Sequence, residues 1–176
     1  MAFLRKSRRS CRRYKVGEVV IDKIEQWIHH VNSSYKERRQ SCTVFEEHFK
    51  GFYSPEFLKT SFVVVANEIP KPDFPELREA GLGDFIDMDV GGITYNDTYY
   101  VKRSVANELR LHFHELVHVI QWRKLTPQGF IERYIREIRD FGYYEAPLEK
   151  MAYALDEHYQ TQRRHLNVEQ FVRENL

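Results

Sequence analysis

"LHFHELVHVIQ", Leu111 to Gln121, places three of the chain's eight histidines within seven residues of an otherwise apolar run. Imidazoles set among Leu, Phe, Val and Ile need partners once they leave water. On a helix, residues four apart share a face. His114 and His118 therefore lie one turn from each other, while His112 points elsewhere and reads as an ordinary packing or surface histidine. Two neutral ring nitrogens on one turn make a metal-binding pair, and zinc is the usual ion for such ligands. Glu115 lies about 100° round from His114, close enough to reach a water at the metal without being a ligand. This is the H-E-x-x-H pattern of metallohydrolases.

The flanking residues support a central helix. Leu109, Leu111, Phe113, Leu116, Val117, Val119, Ile120 and Trp122 cover nearly every side of it, and a helix apolar all round is a buried one. Ser104 reads as its N-cap with Glu108 in the first turn, and the helix runs to about Arg123. Just upstream, "ITYNDTYYV" (Ile93 to Val101) reads as a hairpin turning at Asn96-Asp97, or as one long strand.

Downstream, Thr126-Pro127 opens a helix with the stripe Phe130, Ile131, Tyr134, Ile135 and Ile138, closed by Gly142. Pro147 opens another, with Leu148, Met151, Ala152, Leu155 and Tyr159 at core spacing. Zinc requires a third protein ligand. A histidine six residues beyond His118 would supply one, but that position is Lys124. Glu149 is favoured instead, on the first turn of the Pro147 helix beside the apolar stripe. Its rivals are Glu145, before the proline, and a plain dipole-complementing role for Glu149.

The remaining chain is less informative. Gly17 to Val31 reads as an amphipathic helix with Val19, Val20, Ile24, Trp27, Ile28 and Val31 on one side. A second helix is read over Ser34 to Lys50, closed by Gly51. A short third begins at Ser54-Pro55, and "SFVVVA" (Ser61 to Ala66) is a strand. Pro70, Pro72 and Pro75 mark a loop without regular structure. Asp84, Asp87 and Asp89 lack the spacing of a calcium loop and read as a solvated acidic loop, with Phe85, Ile86, Met88 and Val90 partly packed.

With 176 residues and a net charge of +1, the chain reads as one domain with no global field for nucleic acid or membrane. Residues 1–15 form a basic arm, followed by a single domain over 16–176. That domain divides into a helical part at 16–60, a core at about 61–160 and a C-terminal helix at about 161–176. The arm is the only feature favouring nucleic acid. No apolar segment follows its charges, so it is not read as a secretory signal. No stretch is long and apolar enough to span a membrane, and a cytoplasmic location is the expectation. Cys11 and Cys42 need no disulfide, and the sequons at Asn32 and Asn96 read as accidental.

The segments "HELVHVIQW", "GFIERYIRE" and "GYYEAPLEKMAY" together resemble the gluzincin class of zinc metallopeptidases, more narrowly small bacterial metallopeptidases with HELxHxxQ followed by PxExxAY. The resemblance covers about Val90 to Tyr159. It implies an α+β, mostly helical, zincin-like fold with a small sheet or hairpin on the active-site helix. It also implies Zn2+ held by His114, His118 and Glu149, with Glu115 as general base for cleaving a peptide or protein. In thermolysin-like members an Asp four residues after the ligand Glu supports the first His. Here that position is Tyr153, and Asp156 is the nearest substitute. Tyr143, Tyr144 and His158 are candidates for stabilising the oxyanion. The strand near Tyr95 to Val101 would align an extended substrate. The alternative function is a non-catalytic zinc-binding module used in assembly or targeting.

Overall fold

The computed structural model describes residues 7–161 and 164–176, with side chains described for residue 17 and from residue 19 onward within those ranges. Of the basic arm, residues 1–6 lie outside the described residues. Helix α1 (Ser7–Ser34) already includes the remainder of it. Val20, Ile24, Ile28 and Val31 recur every three or four residues and form the buried face of α1. Val19 does not join them and is 64% exposed, one helical step off the stripe.

The helix expected over Ser34 to Lys50 does not form. The chain turns at Tyr35–Arg39, makes the two-residue strand β1 (Gln40–Ser41), a 3-10 turn (Cys42–Phe45), and further turns to Gly51. Sheet pairing overrides helix propensity here, because Gln40 and Ser41 pair antiparallel with Val63 and Phe62. Helix α2 (Pro55–Lys59) begins as expected, with the Ser54 hydroxyl accepting from the Phe57 N–H.

Strands β2 (Phe62–Ala66), β3 (Gly92–Tyr95) and β4 (Thr98–Lys102) complete a mixed sheet in the order β1-β2-β4-β3. β3 and β4 form the expected hairpin, with Asn96 at φ 62 in its turn. β2 and β4 run parallel. β4 is therefore paired on both sides, so the free edge near the histidine helix belongs to β3 rather than to the Tyr95–Val101 stretch.

Between β2 and β3 the proline-rich segment is not a plain loop. Pro75 starts a one-turn helix α3 (Pro75–Leu77), which passes through the irregular helical turn Arg78–Leu82 into α4 (Gly83–Asp87). Proline at the first helical position is compatible with the turn. Arg78 holds Asp73 and Asp87 together, and Lys102 pairs with Asp89. The Lys71 ammonium donates to the carbonyls of Phe85, Ile86 and Met88.

Helix α5 (Leu109–Leu125) starts later than expected. Ser104 lies in a 3-10 turn (Arg103–Val105), and Glu108 occupies the cap position without a side-chain bond. His112 is the reason for the detour: its buried ring bonds the Tyr99 hydroxyl through Nδ1 and the Ala106 carbonyl through Nε2. Helices α6 (Pro127–Phe141), α7 (Pro147–Thr161) and α8 (Val168–Asn175) follow.

The fold is mostly helical with one small mixed sheet. α1 covers the sheet face that carries Tyr95, Tyr100 and Val64. α5 covers the opposite face, where Val63, Tyr99 and Val101 pack with Phe113, Leu116 and Val117. α7 and α8 complete the core on that side. Among the described residues no helix is long and apolar enough to cross a membrane.

Candidate metal centre

α5 and α7 bring His114, His118 and Glu149 together, and their ligand atoms all lie within 4.8 Å of one another. Glu149 Oε2 is 3.3 Å from His114 Nε2, and Oε1 is 3.5 Å from His118 Nε2. The two Nε2 atoms are 3.1 Å apart. Among the described residues this is the only group of three or more His, Cys, Asp or Glu side chains placed to hold a metal ion.

The outer nitrogens decide the protonation of the rings. His114 Nδ1 is 2.9 Å from Asp156 Oδ2, an acceptor, so Nδ1 carries the proton. His118 Nδ1 is 2.7 Å from Gln121 Oε1, whose amide is oriented by donating Nε2–H to the Leu148 carbonyl. When the rings are neutral, these tautomers turn both Nε2 lone pairs toward each other and toward a carboxylate. Glu149 Oε2 is buried and finds no hydrogen-bond donor. Such an arrangement is costly without a positive charge at its focus, and it suits a cation bound by nitrogen and oxygen.

Electrostatics agree. Burial opposes a charge on His114, but the Asp156 and Glu149 carboxylates beside it outweigh that and push the imidazole up to about 10. Burial likewise opposes a charge on Glu149, yet His118 and His114 hold its carboxyl far below the usual range. With no ion bound, His114 holds a second proton between the rings and the carboxylate, and a bound cation would take that proton's place.

Supporting contacts fix each member of the cluster. Arg110, one turn before His114, bonds Asp156 Oδ1 at 2.8 Å and leaves Oδ2 for the imidazole. The Tyr134 hydroxyl donates to Glu149 Oε1 at 2.7 Å. Glu137, itself paired with Arg133, accepts the Leu148 N–H and so sets the start of α7 just before Glu149. The sequence reading missed Gln121, Arg110 and Tyr134 as supports, although their places three residues after His118, four before His114 and on the α6 stripe were signals that could have found them. Glu137 and Thr94 carried no comparable signal.

Glu115 lies beside the cluster, 3% exposed. Thr94 on β3 donates its hydroxyl to Oε2 at 2.7 Å, which leaves Oε1 unengaged. Burial raises the Glu115 carboxyl, against the pull of His118 and His114. Gly92 makes room for that side chain, because a Cβ there would stand 2.5 Å from Oε1.

The other sequence candidates separate clearly. Tyr153 lays its ring on His114, with centroids 4.6 Å apart. Tyr143 hydrogen-bonds Tyr153 and lines the space beside Glu115. Tyr144 is 67% exposed at the rim. His158 takes no part, since its Nε2 meets the Arg164 carbonyl. Glu145 pairs with Lys150 and stays at the surface. No acidic side chain of the Asp84–Asp89 segment joins the cluster.

Two spaces open from the centre. A groove lined by Asp89, Glu108, Arg110, Tyr144 and Tyr153 reaches His114 and Glu115 from outside. A narrower apolar pocket of about 90 Å³ leads inward past Glu115, His118 and Glu149. Comparison with protein-family models, curated proteins and solved structures finds no match to the chain.

Proposed function

We propose that the chain is a zinc-dependent hydrolase of gluzincin type with a zincin-like fold, acting on peptide bonds. The observation that carries this reading is the buried convergence of two imidazole nitrogens and a carboxylate, one of whose oxygens has no donor, with a second carboxylate beside them. His114, His118 and Glu149 would hold the ion, and Asp156 and Gln121 would keep both imidazoles in the ligating tautomer. Zinc bound there supplies a Lewis acid that polarises a carbonyl and makes water a nucleophile near neutral pH.

The remaining chemistry belongs to the chain. Oε1 of Glu115 is the free oxygen that takes the proton of the attacking water and returns it to the leaving amine. Its burial favours that exchange, because a raised carboxyl holds a proton more readily. Thr94 keeps the other oxygen turned away. An extended substrate would align on β3. Gly91 pairs with Lys102 by accepting its N–H, so the alternation of antiparallel bonds turns the main-chain groups of Gly92 and Thr94 away from β4. The Thr94 carbonyl is already taken by the Trp122 indole, and the Gly92 groups and the Thr94 N–H remain for a partner strand.

The test measures bound zinc and peptide cleavage together, in the wild type and in Glu115→Gln. Zinc in both proteins with cleavage only in the wild type is the expected result. Zinc in both, with no Glu115-dependent cleavage of a broad peptide panel, would reassign the site to a structural clasp of the non-catalytic kind.

A further inference from the structure

Leu148, the residue before Glu149, is held by its main chain from two sides. Its N–H donates to Oε2 of Glu137 on α6 at 2.8 Å. Its carbonyl accepts from the Gln121 amide at 3.0 Å, and the oxygen of that amide meets His118 Nδ1 at 2.7 Å. A single residue's backbone therefore joins Glu149 on α7 to His118 on α5.

Helix α7 depends on the outside acceptor. Pro147 opens the helix and has no N–H, so its first donor is the Leu148 N–H. A Ser, Thr, Asp or Asn before the proline would satisfy it, but Ala146 stands there, fully buried, with only a methyl group. Glu137 supplies the missing oxygen from the neighbouring helix, and its charge meets the positive end of the helix dipole. The residue is 4% exposed, and a carboxylate so buried needs pairing. Arg133, one turn earlier, pairs with Oε1 at 2.7 Å. The same guanidinium reaches the Leu176 carbonyl at 3.5 Å, and Leu176 packs against the apolar cores on both sides of the sheet. Tyr134, three residues before Glu137 and on the same face of α6, donates to Glu149 Oε1. Two consecutive residues of α7 are thus gripped from α6, one by its backbone and the next by its carboxylate.

We infer that Glu137 is a positioning residue for the metal centre. Through the Leu148 main chain it fixes the separation of Glu149 from His118, and Arg133 with the end of α8 anchors it. The inference rests on the proposed zinc-dependent reading for the ion, and on the hydrogen-bond chain alone for the coupling to His118.

Two readouts test it, in the wild type, Glu137→Ala, Glu137→Gln and Ile138→Val. The first is zinc affinity, measured by competition with a chromophoric chelator. Glu137→Ala is expected to weaken it about tenfold to a hundredfold. Glu137→Gln keeps an oxygen for the Leu148 N–H and should restore most of the loss. Ile138→Val loosens the buried face of the same helix without touching this chain of bonds, and should leave the affinity unchanged. The second readout is imidazole NMR of the metal-free protein at one pH. His118 signals should move in Glu137→Ala and return in Glu137→Gln. His112, held in a separate network by Tyr99 and Ala106, should stay in place. If Glu137→Ala does not fold, Arg133→Met replaces it, with the acceptor kept and its anchor lost, and the same changes are expected at smaller size. An unmoved His118, an unchanged zinc affinity, or an equal loss in Ile138→Val overturns the inference and leaves the hydrolase reading standing. A wild type that binds no zinc sinks that reading instead, and the His118 signals then decide the coupling by themselves.

Discussion

At the scale of single residues, Gly92 shows how function can depend on an atom that is missing. A methyl group there would stand 2.5 Å from Oε1 and 2.9 Å from the carboxyl carbon of Glu115. The side chain can swing aside, so the cost falls on geometry rather than on folding. On the proposed hydrolase reading, Gly92→Ala should leave the melting temperature and zinc content nearly unchanged and lower kcat/KM about a hundredfold, the penalty of displacing the proposed base by about 1 Å. An unchanged rate would mean that Glu115 needs no fixed position. Cys42 is the opposite case, a residue whose burial matters for stability. Burial pushes its thiol up to about 12, against its bond to Tyr99 and the charge of Arg123. Folded protein keeps this proton while unfolded chain loses it near pH ~8.5. The native state thus binds more protons above that point, and its stability is complete below it and falls as pH rises toward 12. Urea midpoints at about pH 7.5 and about pH 10 should fall further for the wild type than for Cys42→Ala, by at most about 1.4 kcal/mol per pH unit.

Elements are where sequence and structure part company most usefully. The histidine helix, the hairpin before it and the two helices after it were legible, because their apolar periodicity, proline starts and glycine stops all point the same way. So was the convergence of His114, His118 and Glu149, since spacing on one helix and position on another helix's first turn require no tertiary knowledge. Ser34 to Lys50 was not legible as turns, for its fate depends on Gln40 and Ser41 finding Val63 and Phe62 across the sheet. Nor were the helical turns between β2 and β3, which are held by Arg78, Lys71 and their distant partners. Asp156 was only the best available substitute until α7 placed it against His114. The corner between α5 and α6 offers a stability test at this scale. Thr126 sits there at φ 64, ψ 160, without a side-chain cap bond, a region that suits glycine alone. Relief of that strain should outweigh the added chain entropy, so Thr126→Gly should raise the unfolding free energy by about 1 kcal/mol. A loss of stability in denaturant titrations would show that the threonine side chain contributes more than its backbone costs.

For the whole molecule, the His114, His118 and Glu149 cluster is a tie between distant parts of the chain. Its members come from α5 and α7, and their supports come from α5, α6 and α7, while β3 holds the neighbouring Glu115. An ion that binds this assembled site and not the unfolded chain stabilises the fold by mass action, about 2.7 kcal/mol at a hundredfold excess over Kd. Chelation should therefore lower the unfolding midpoint of the wild type and restoring zinc should raise it, with His118→Ala indifferent to both. A midpoint insensitive to zinc would separate the cluster from the stability of the fold. The same architecture also contains an optical probe. Of the two tryptophans, Trp27 meets Tyr95 edge-on through α1. Trp122 joins Phe130 in the wall of the apolar pocket, with its indole N–H on the Thr94 carbonyl. Whatever enters the pocket replaces the medium around that indole. In a Trp27→Phe background, occupancy becomes visible as a change in the colour and intensity of ultraviolet emission, with no label attached.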